Sequence, residues 1–402
     1  MVETASLPAS ENWTNWSGAI TSTPRRIVRP RSEEELAAAV AESSRRGETV
    51  RVAGSGHSFV PLCDASGGTL VSLENLAGVV GVDAAAGEAT VWAGSRIFEL
   101  GEPLRAAGWA MTTMGDIDRQ AIAGAIATGT HGTGFGARSI PNQVVGLRVV
   151  GGDGQVRELR LDVDGDVMRA ARVSLGALGV VSQVRLRLVP AFRLHERTWF
   201  EPPDECMARL EERIHATRHF EFFWMPVKDA CFMKTLDPTA REVDPMPDVK
   251  GERIDWSDRV FPSERNVKFN EIEFSMAAEE GPACFDELRA LLLGRYQGVV
   301  EWPLEYRTVA PDDIYLSPAH GRQTVSISAH QGAELPHEAF FRDVEAIFRA
   351  HGARPHWGKW HTHEAAELRP LYPRWDDFQR VRRAMDPNGV FLNAFVRRLF
   401  DA

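Results

Sequence analysis

Two glycine-rich stretches, about seventy residues apart, constrain the fold of this chain more than any other feature. The first is Arg51-Val-Ala-Gly-Ser-Gly-His-Ser-Phe59, which follows a predicted helix and a short apolar strand at residues 49–53. We expect Gly54 and Gly56 to turn the backbone at positive φ and to let a ligand approach closely, because glycine has no Cβ atom. The pattern therefore predicts a tight turn with His57 at its apex.

The second stretch is Ile122-Ala-Gly-Ala-Ile-Ala-Thr-Gly-Thr-His-Gly-Thr-Gly134, a run of Gly, Ala and Thr with little side-chain bulk. Successive backbone N–H groups in such a run can form a concave anion site, so we expect both stretches to hold phosphate. Neither stretch matches the nicotinamide fingerprint, since the first lacks its third glycine and the second has its glycines in the wrong order. The two loops therefore favour a different dinucleotide, in first place a flavin.

Length and charge exclude several other classes of protein. The chain has 402 residues, enough for two domains, and 46 basic against 56 acidic residues give a net charge of −10, which argues against nucleic acid as a partner. No run of about eighteen apolar residues predicts a membrane span, and the N-terminus lacks the pattern of a signal peptide. Four scattered cysteines without a CxxC pair indicate reduced thiols. We therefore expect a cytoplasmic location.

The remaining pattern predicts short strands and helices that change in character near Pro190. Ser32-Glu-Glu-Glu35 is typical of a capping box that opens a helix. Glycine-containing turns predict two hairpins, at residues 79–93 and 143–161, and residues 336–350 predict an amphipathic helix. Before Pro190 the helices do not alternate strictly with strands, which indicates an α+β arrangement rather than a doubly wound sheet. Beyond it, residues 270–275 predict a half-buried strand in which Glu271 and Glu273 alternate with apolar residues. The Pro- and charge-rich residues 237–265 predict a surface excursion.

Five motifs then occur in a characteristic order along the chain. They are Gly54-Ser-Gly-His-Ser58, Ala123-Gly-Ala-Ile-Ala-Thr-Gly-Thr-His-Gly-Thr-Gly134, Ala170-Ala-Arg-Val-Ser-Leu-Gly-Ala-Leu-Gly-Val180, Glu305-Tyr-Arg307 and His356-Trp-Gly-Lys359. In this order they resemble the aldonolactone and alditol oxidases of the vanillyl-alcohol-oxidase flavoprotein superfamily, over nearly the whole chain. The resemblance implies an α+β fold with a PCMH-type FAD-binding domain of two α/β subdomains at residues 1–190. It also implies an α+β cap (substrate) domain at residues 191–370 and a C-terminal segment, 371–402, that returns to the FAD domain.

The resemblance also implies how FAD is held. In the family, the histidine of the Gly-x-Gly-His-Ser turn is bonded covalently to the flavin 8α-methyl group, which here is His57. No cysteine lies between Asp64 and Glu205, so we expect a single histidyl linkage. Taken alone, His57 could instead be a turn histidine that caps a helix, and the glycine run could be a packing turn. Further cofactor contacts are expected at Gly54, Ser55, Gly56, Ser58, Gly115, Asp116, Gly124, Thr128, Gly129, Thr130, Gly132 and Val180.

Met114-Gly-Asp-Ile117 bears on the electron acceptor and the substrate. In the family a small residue near the flavin C4a atom influences oxygen access, so Gly115 favours an oxidase over a dehydrogenase. Asp116 departs from the serine of alditol and lactone oxidases, and a carboxylate there favours hydrogen bonds from hydroxyl groups or a cation. The alternative is that Asp116 only closes an Asx turn.

Candidate catalytic residues follow from alternation on strands and from the resemblance. Glu305 and Arg307 lie two residues apart, so on a strand they share a face; Arg307 could stabilise an alkoxide and Glu305 could hold substrate hydroxyls. Without the resemblance, a surface ion pair would be the better interpretation. His330 shares a strand face with two serines and is the candidate base, although a plain buried or surface histidine is an equal alternative. Lys359 resembles the family lysine near the flavin pyrimidine or the substrate.

Two metal patterns fail. His356, His361 and His363 have no cysteine near them, and Glu364 directly follows the last histidine. Residues 162–166 resemble a calcium loop, but Val173 stands where the twelfth position needs an acid. We therefore predict no metal.

The function that the resemblance implies is oxidation of a CH–OH group in a small polyhydroxylated substrate by an FAD-dependent oxidase. An aldono-1,4-lactone is the leading substrate class and an alditol comes next, with dioxygen as acceptor and hydrogen peroxide as product. The alternatives are a dehydrogenase with another acceptor, an oxidase of another polyhydroxylated substrate, and a flavin-binding protein without turnover.

Overall fold

The computed structural model describes residues 11–247, 249–263 and 266–401. The strands in these ranges are β1 (Trp13–Thr14), β2 (Thr21–Ser22), β3 (Arg26–Val28), β4 (Val50–Ala53), β5 (Thr69–Ser72), β6 (Val79–Asp83), β7 (Glu88–Trp92), β8 (Trp109–Ala110), β9 (Val144–Val150), β10 (Val156–Arg160), β11 (Val180–Arg187), β12 (Val189–Pro190), β13 (Arg193–Glu201), β14 (His219–Met225), β15 (Ala230–Thr239), β16 (Glu252–Trp256), β17 (Phe269–Ala277), β18 (Leu304–Val309), β19 (Thr324–Gly332) and β20 (Arg354–Pro355). The helices are α1 (Glu33–Arg45), α2 (Ile97–Ala106), α3 (Ile122–Thr128), α4 (Gly165–Ala171), α5 (Pro203–Ala208), α6 (Leu210–Ala216), α7 (Ser257–Val260), α8 (Gly281–Gly294), α9 (Glu338–Ala350), α10 (Ala365–Leu368), α11 (Trp375–Met385) and α12 (Ala394–Phe400). Within the described ranges, no helix is long and apolar enough to cross a membrane.

The first part of the chain forms two sheets. β3, β5 and β4 make a parallel three-stranded sheet, and an antiparallel five-stranded sheet has the order β10-β9-β11-β7-β6. The predicted hairpins at β6–β7 and β9–β10 are confirmed. The predicted cap of α1 is also present, since the Ser32 hydroxyl accepts a hydrogen bond from the Glu35 N–H at 3.2 Å. This helix buries Leu36 and Val40 against both sheets.

The second part of the chain forms one antiparallel eight-stranded sheet with the order β16-β13-β15-β14-β18-β19-β17-β20. Residues alternate between its two faces. One face packs apolar side chains against α5, α6, α8 and α9; Phe222 and Tyr306 contact Phe285 of α8, and Phe274 stacks on Phe348 of α9. The opposite face carries charged residues and is covered by the first part of the chain, for example where His131 Nε2 lies 2.9 Å from Glu273 Oε1.

Burial on both faces makes one sequence-based prediction wrong. Residues 270–275 do lie in a strand, β17, but that strand is not half-buried: Glu271 is 3% exposed and Glu273 is 1% exposed. The acidic side chains face the first part of the chain instead of solvent. Alternation of acidic and apolar residues does not distinguish a solvated face from a buried polar one.

The predicted surface excursion at residues 237–265 is wrong in part. β15 extends to Thr239, and β16 adds an edge strand to the eight-stranded sheet through pairing with β13. α7 then packs near α2, where Asp258 forms an ion pair with Arg105 at 3.0 Å. Asp248, Glu264 and Arg265, which the prediction also included, lie outside the described residues.

The C-terminal helices pack in the core of the first part of the chain. Phe378 of α11 and Leu399 of α12 are fully buried in the same apolar cluster as Leu100 and Ile126. Backbone hydrogen bonding joins the tail to β4, because Val50 donates its N–H to Val390 O at 2.9 Å. The tail therefore packs against the first part of the chain.

Candidate active site

A cavity of about 330 Å³ lies among the two glycine-rich stretches. Its walls come from the turn at residues 54–58, from the start of α3, and from residues 174–176, and they consist largely of Gly, Ala and Ser. Arg51 lies at its floor, fully buried, and donates hydrogen bonds to backbone carbonyls, including those of Leu62 and Leu175 at 2.6 and 2.7 Å. Burial lowers the pKa of Arg51 to about 10.

The cavity walls carry backbone N–H groups that need acceptors. Within the described ranges, the N–H groups of residues 55–58 donate no hydrogen bond, and neither does that of Gly124. A Cβ atom on Gly124 would meet nothing within 4 Å, so the space beside this residue is open to the cavity. Free amide donors beside a cavity of this size fit the phosphates of a dinucleotide.

Two expectations about these stretches are corrected. Gly56 has φ of +70°, but Gly54 does not have a positive φ; there a Cβ atom would lie only 2.7 Å from the Cβ atom of Ala121. Close packing against α3, not a left-handed backbone, therefore explains Gly54. Residues 122–128 form a helix, α3, so only the part from Gly129 onwards is a loop.

His57 lines this cavity, with its ring centroid 5.3 Å from that of Trp16. Burial lowers the pKa of His57 to about 4, and the positive charges of Lys359 and Arg96 add to the effect. The imidazole is therefore neutral at pH 7, with a nitrogen lone pair available.

The predicted cofactor residues fall into three groups. Residues 54–58, Gly124 and Thr128 line the large cavity. Gly115, Asp116 and Thr130 line a second, adjacent cavity of about 50 Å³, which shares Gln120 with the first. Three others line neither cavity: Gly129 ends α3 with φ of +83°, Gly132 packs so closely that a Cβ atom would lie 2.3 Å from Met114 O, and Val180 lies in the apolar core.

The second cavity contains all the predicted catalytic residues: Asp116, Glu305, Arg307, His330 and Lys359. It lies on the charged face of the eight-stranded sheet. Because β18 and β19 are neighbours in that sheet, Glu305 and Arg307 stand opposite Ser328 and Ser326. The structure thus brings together residues that lie far apart in sequence.

Arg307 is held between two carboxylates. Its Nη2 atom lies 2.8 Å from Glu273 Oε1 and 3.3 Å from Glu305 Oε2. Glu273 Oε1 also accepts from Ser326 Oγ at 2.7 Å, and Glu305 Oε2 accepts from Ser328 Oγ at 3.1 Å. The other oxygen of Glu305, Oε1, is buried and has no donor among the described residues. It is available to a ligand in the cavity.

His330 and Lys359 occupy another wall of the second cavity. His330 Nδ1 lies 2.9 Å from Pro303 O, so this nitrogen carries the proton and donates, which leaves Nε2 as an acceptor 3.6 Å from Glu271 Oε1. Lys359 Nζ forms an ion pair with Glu271 Oε2. Phe269 packs edge-on against the His330 ring, with centroids 5.2 Å apart.

Asp116 lies beside a buried ion cluster. Lys234 Nζ is 3.3 Å from Asp116 Oδ1 and 2.8 Å from Glu221 Oε1. Burial would lower the pKa of Lys234, but Asp116 and Glu221 raise it above its usual value, so this lysine is charged. Burial raises the pKa of Glu221 to about 7, and the charge of Asp116 adds to the effect.

The three histidines considered as metal ligands do not come together. His356 borders the second cavity, whereas His363 is bound to Glu345 at 3.0 Å and His361 packs against Trp357 and Phe395. A different set, His131, Glu273 and His356, places ligand atoms within 4.8 Å of one another. The guanidinium of Arg307 already lies against Glu273 there, and burial lowers the pKa of His356 to about 3.

The sequence-based interpretation missed four charged residues of the site: Glu221, Lys234, Glu271 and Glu273. A signal for one of them was available. Glu221 stands between phenylalanines in His219-Phe-Glu-Phe-Phe-Trp224, and a carboxylate within an aromatic strand indicates a buried polar role. Lys234 carries no comparable signal.

Comparison with known proteins identifies the class and the family. The family model for D-arabinono-1,4-lactone oxidase matches residues 184–256 and 246–399, and the model for an FAD binding domain matches residues 24–160. L-gulono-1,4-lactone dehydrogenase from Mycobacterium tuberculosis is 37% identical over 96% of this chain and 98% of that protein. Alditol oxidase from Streptomyces sp. is 31% identical over 96% and 99%, respectively.

Among solved structures, cholesterol oxidase from B. sterolicum superposes with a TM-score of 0.86 at 16% identity, over 97% of each chain, which shows a common fold. The chain is therefore an FAD-dependent oxidoreductase with a PCMH-type α+β fold. It belongs to the D-arabinono-1,4-lactone oxidase family.

Proposed function

We propose that this protein oxidises a CH–OH group of an aldono-1,4-lactone or an alditol and passes the electrons to dioxygen, with hydrogen peroxide as product. The observation that carries this proposal is the second cavity, where Glu305, Arg307, His330 and Lys359 converge beside the cavity that His57 lines. The names of the relatives support the substrate class, since they include a gulonolactone dehydrogenase and an alditol oxidase.

When bound, FAD supplies the hydride acceptor. The residues of the chain would act on the substrate alcohol. Glu305 Oε1 would accept a hydrogen bond from a substrate hydroxyl, and Arg307 would stabilise negative charge that develops on the reacting oxygen. His330 Nε2 is the candidate base, because its Nδ1–H is committed to Pro303 O.

We further propose that FAD is attached to His57 through a single histidyl linkage. The neutral imidazole supports this proposal, since only an unprotonated nitrogen can form the bond to the 8α-methyl group. The free N–H groups of residues 55–58 and Gly124 would hold the pyrophosphate. The predicted roles of Gly129, Gly132 and Val180 as direct contacts have less support, because these residues lie outside both cavities.

The domain division is part of the same proposal. We assign residues 1–190 to the FAD-binding domain, 191–370 to the cap, and 371–402 to a segment that returns to the first domain. β11 ends at Arg187 and the eight-stranded sheet begins with β13 at Arg193, which supports the first boundary. The four cysteines are unbridged, which fits the proposed cytoplasmic location.

The test is peroxide formation by the purified flavoprotein across aldonolactones, alditols, aldoses and unrelated alcohols. We expect peroxide with one of the first two groups. The second candidate function is a dehydrogenase, which the name of the 37% identical relative favours. Reduction of a dye acceptor without oxygen consumption would establish that alternative. Flavin that no alcohol of the panel reduces would contradict both.

A further inference from the structure

Glu273 joins the two parts of the chain at the second cavity. One of its oxygens, Oε1, lies 2.8 Å from Arg307 Nη2 on β18 and accepts a hydrogen bond from Ser326 Oγ on β19 at 2.7 Å. The same oxygen lies 2.9 Å from Nε2 of His131, which belongs to the loop after α3. A single carboxylate oxygen therefore contacts the candidate catalytic arginine, a neighbouring strand and the second glycine-rich stretch.

His131 is placed to hold this carboxylate. The residue is 6% exposed, and its Nδ1 atom lies 2.8 Å from Gly132 O. Among the described residues, Nε2 has no partner besides Glu273. A neutral imidazole has one N–H and can serve only one of these two oxygens, whereas an imidazolium serves both. His131 can therefore act as a donor that keeps Glu273 Oε1 in place.

The ionisation of Glu273 makes the position of Arg307 depend on this contact. Burial would raise the pKa of Glu273, but the positive charge of Arg307, followed by that of His131, holds the pKa well below its usual value. The guanidinium of Arg307 lies between the carboxylates of Glu273 and Glu305. If Glu273 moves, we expect the guanidinium to move with it, because a buried carboxylate strongly retains its cationic partner.

The segment that carries His131 also connects Glu273 to the first cavity. Thr128, at the end of α3, lines the cavity among the glycine-rich stretches, and Thr130 lines the second cavity. The backbone of the segment is closely packed, since a Cβ atom on Gly115 would lie 3.2 Å from His131 O. This short segment therefore fixes the distance between the proposed FAD site and Glu273.

We propose that His131 is a positioning residue, which acts through Glu273 to hold the Arg307 guanidinium where the oxidation step needs it. The inference rests on the proposed function, because that function gives Arg307 its role at the reacting oxygen. It assigns the histidine of the second glycine-rich stretch a role in catalysis rather than in cofactor binding alone.

The test is the rate constant of flavin reduction in anaerobic stopped-flow experiments, with a saturating concentration of the alcohol of the panel that reduces the flavin fastest. The rate is expressed per bound flavin, so that loss of cofactor does not count as loss of catalysis. We expect His131→Leu to lower the rate about tenfold or more, because small misplacements of a catalytic group have large effects. His131→Gln keeps an N–H donor and should recover most of the rate. Substrate affinity should change less than the rate in both variants.

A double-mutant cycle separates positioning from a direct contact of His131 with the substrate. In an Arg307→Ala background, His131→Leu should lower the rate by no more than about threefold, because no guanidinium is left to position. Glu273→Gln should slow reduction as well, and it provides the second variant for the cycle if His131→Leu does not fold. Losses that multiply in the double variant overturn the inference, and so does an equal rate in His131→Gln and His131→Leu.

His219→Leu is the matched control. His219 is also buried, and its Nδ1 atom lies 2.6 Å from Thr133 O of the same glycine-rich stretch, but it lines neither cavity. This variant should keep its reduction rate even where its Tm falls. A loss of rate as large as that of His131→Leu would show a general effect of the loop and would overturn the positioning role.

The single variants separate this inference from the proposed function. Slow reduction in Arg307→Ala, together with an unchanged rate in His131→Leu, would reject the positioning role and leave the proposed function intact. Flavin that no alcohol of the panel reduces would reject the proposed function and this inference with it, and so would an unchanged rate in Arg307→Ala.

Discussion

Replacement of Arg307 by alanine tests whether the second cavity, on the eight-stranded sheet, is the catalytic site. The guanidinium is 7% exposed and lies between Glu273 at 2.8 Å and Glu305 at 3.3 Å. Removal of one preorganised charge at a developing oxyanion typically costs about 3–4 kcal/mol of transition-state stabilisation. We therefore expect Arg307→Ala to lower kcat by about two to three orders of magnitude.

The same substitution also affects stability. It leaves Glu273 and Glu305 buried without their shared cation, and loss of one partner of a buried ion pair costs about 3–5 kcal/mol. Thermal unfolding must therefore be measured beside kcat. Arg307→Lys keeps the charge but loses the planar fork, so we expect an intermediate kcat in a more stable protein.

Arg213→Ala provides the matched control. Arg213 is another buried arginine and forms an ion pair with Glu201, where its Nη2 atom donates at 2.8 Å, but it lines neither cavity. This variant should lose stability and keep kcat and flavin content. The reasoning is refuted if Arg307→Ala retains kcat within a factor of about three, or if Arg213→Ala loses as much activity as Arg307→Ala.

Three further predictions address the cofactor and the pH dependence of stability. His57→Ala should release flavin on acid precipitation, whereas the unmodified protein should keep its flavin in the pellet. Gly124→Leu should lower flavin occupancy because the new side chain would fill part of the large cavity. Gly294→Leu should not lower it, because Gly294 lies in a helix with nothing within 4 Å of its Cβ position. Equal occupancy in both variants would contradict the cavity assignment. Although burial alone would raise the pKa of Glu345, hydrogen bonds led by that from His363 lower it to about 2 from a usual value of 4.5. The ionised Glu345 carboxylate therefore stabilises the fold above about pH 4.5, and this stabilisation is lost as the pH falls towards 2. We expect Glu345→Gln to lower Tm at pH 7 by several degrees and to reduce the decrease of Tm below pH 4.5. Scanning calorimetry at several pH values measures both effects.

The sequence predicted best those elements that are determined by residues close together in the chain. The Ser32 cap of α1, the hairpin turns and the amphipathic helix α9 depend on contacts within a few residues, and the structure confirms them. α3 was missed because Gly124 lowers its helix propensity and because its run of small residues shows little apolar periodicity. Backbone hydrogen bonds from its first turn to Ser95 and Ala93 hold it in place, and these are long-range contacts.

Half of the candidate site could be predicted from the alternation of side chains along strands. Glu305 and Arg307 do share a face, as do Ser326, Ser328 and His330, and the registry of β18 with β19 places the two groups side by side. The sequence does not specify that β14 and β17 flank these strands, and therefore it did not indicate that Glu221 and Glu273 join the same cluster. Strand order is a property of the whole sheet, and no local pattern encodes it.

The order of strands also explains why Asp116 was difficult to interpret from sequence. Its neighbour Lys234 lies on β15, which pairs with β14, so Lys234 and Glu221 stand opposite each other in the register. From the sequence alone, an aspartate at this position suggests either a substrate contact or an Asx turn. With Lys234 and Glu221 beside it, the carboxylate belongs to a buried charged cluster, and a turn-closing role alone does not account for a lysine buried against it. Lys234 lies on β15, three strands before Arg307 in sequence, but it is close to the second cavity in space. Its position therefore favours a role for Asp116 in the site over a role in closing a turn.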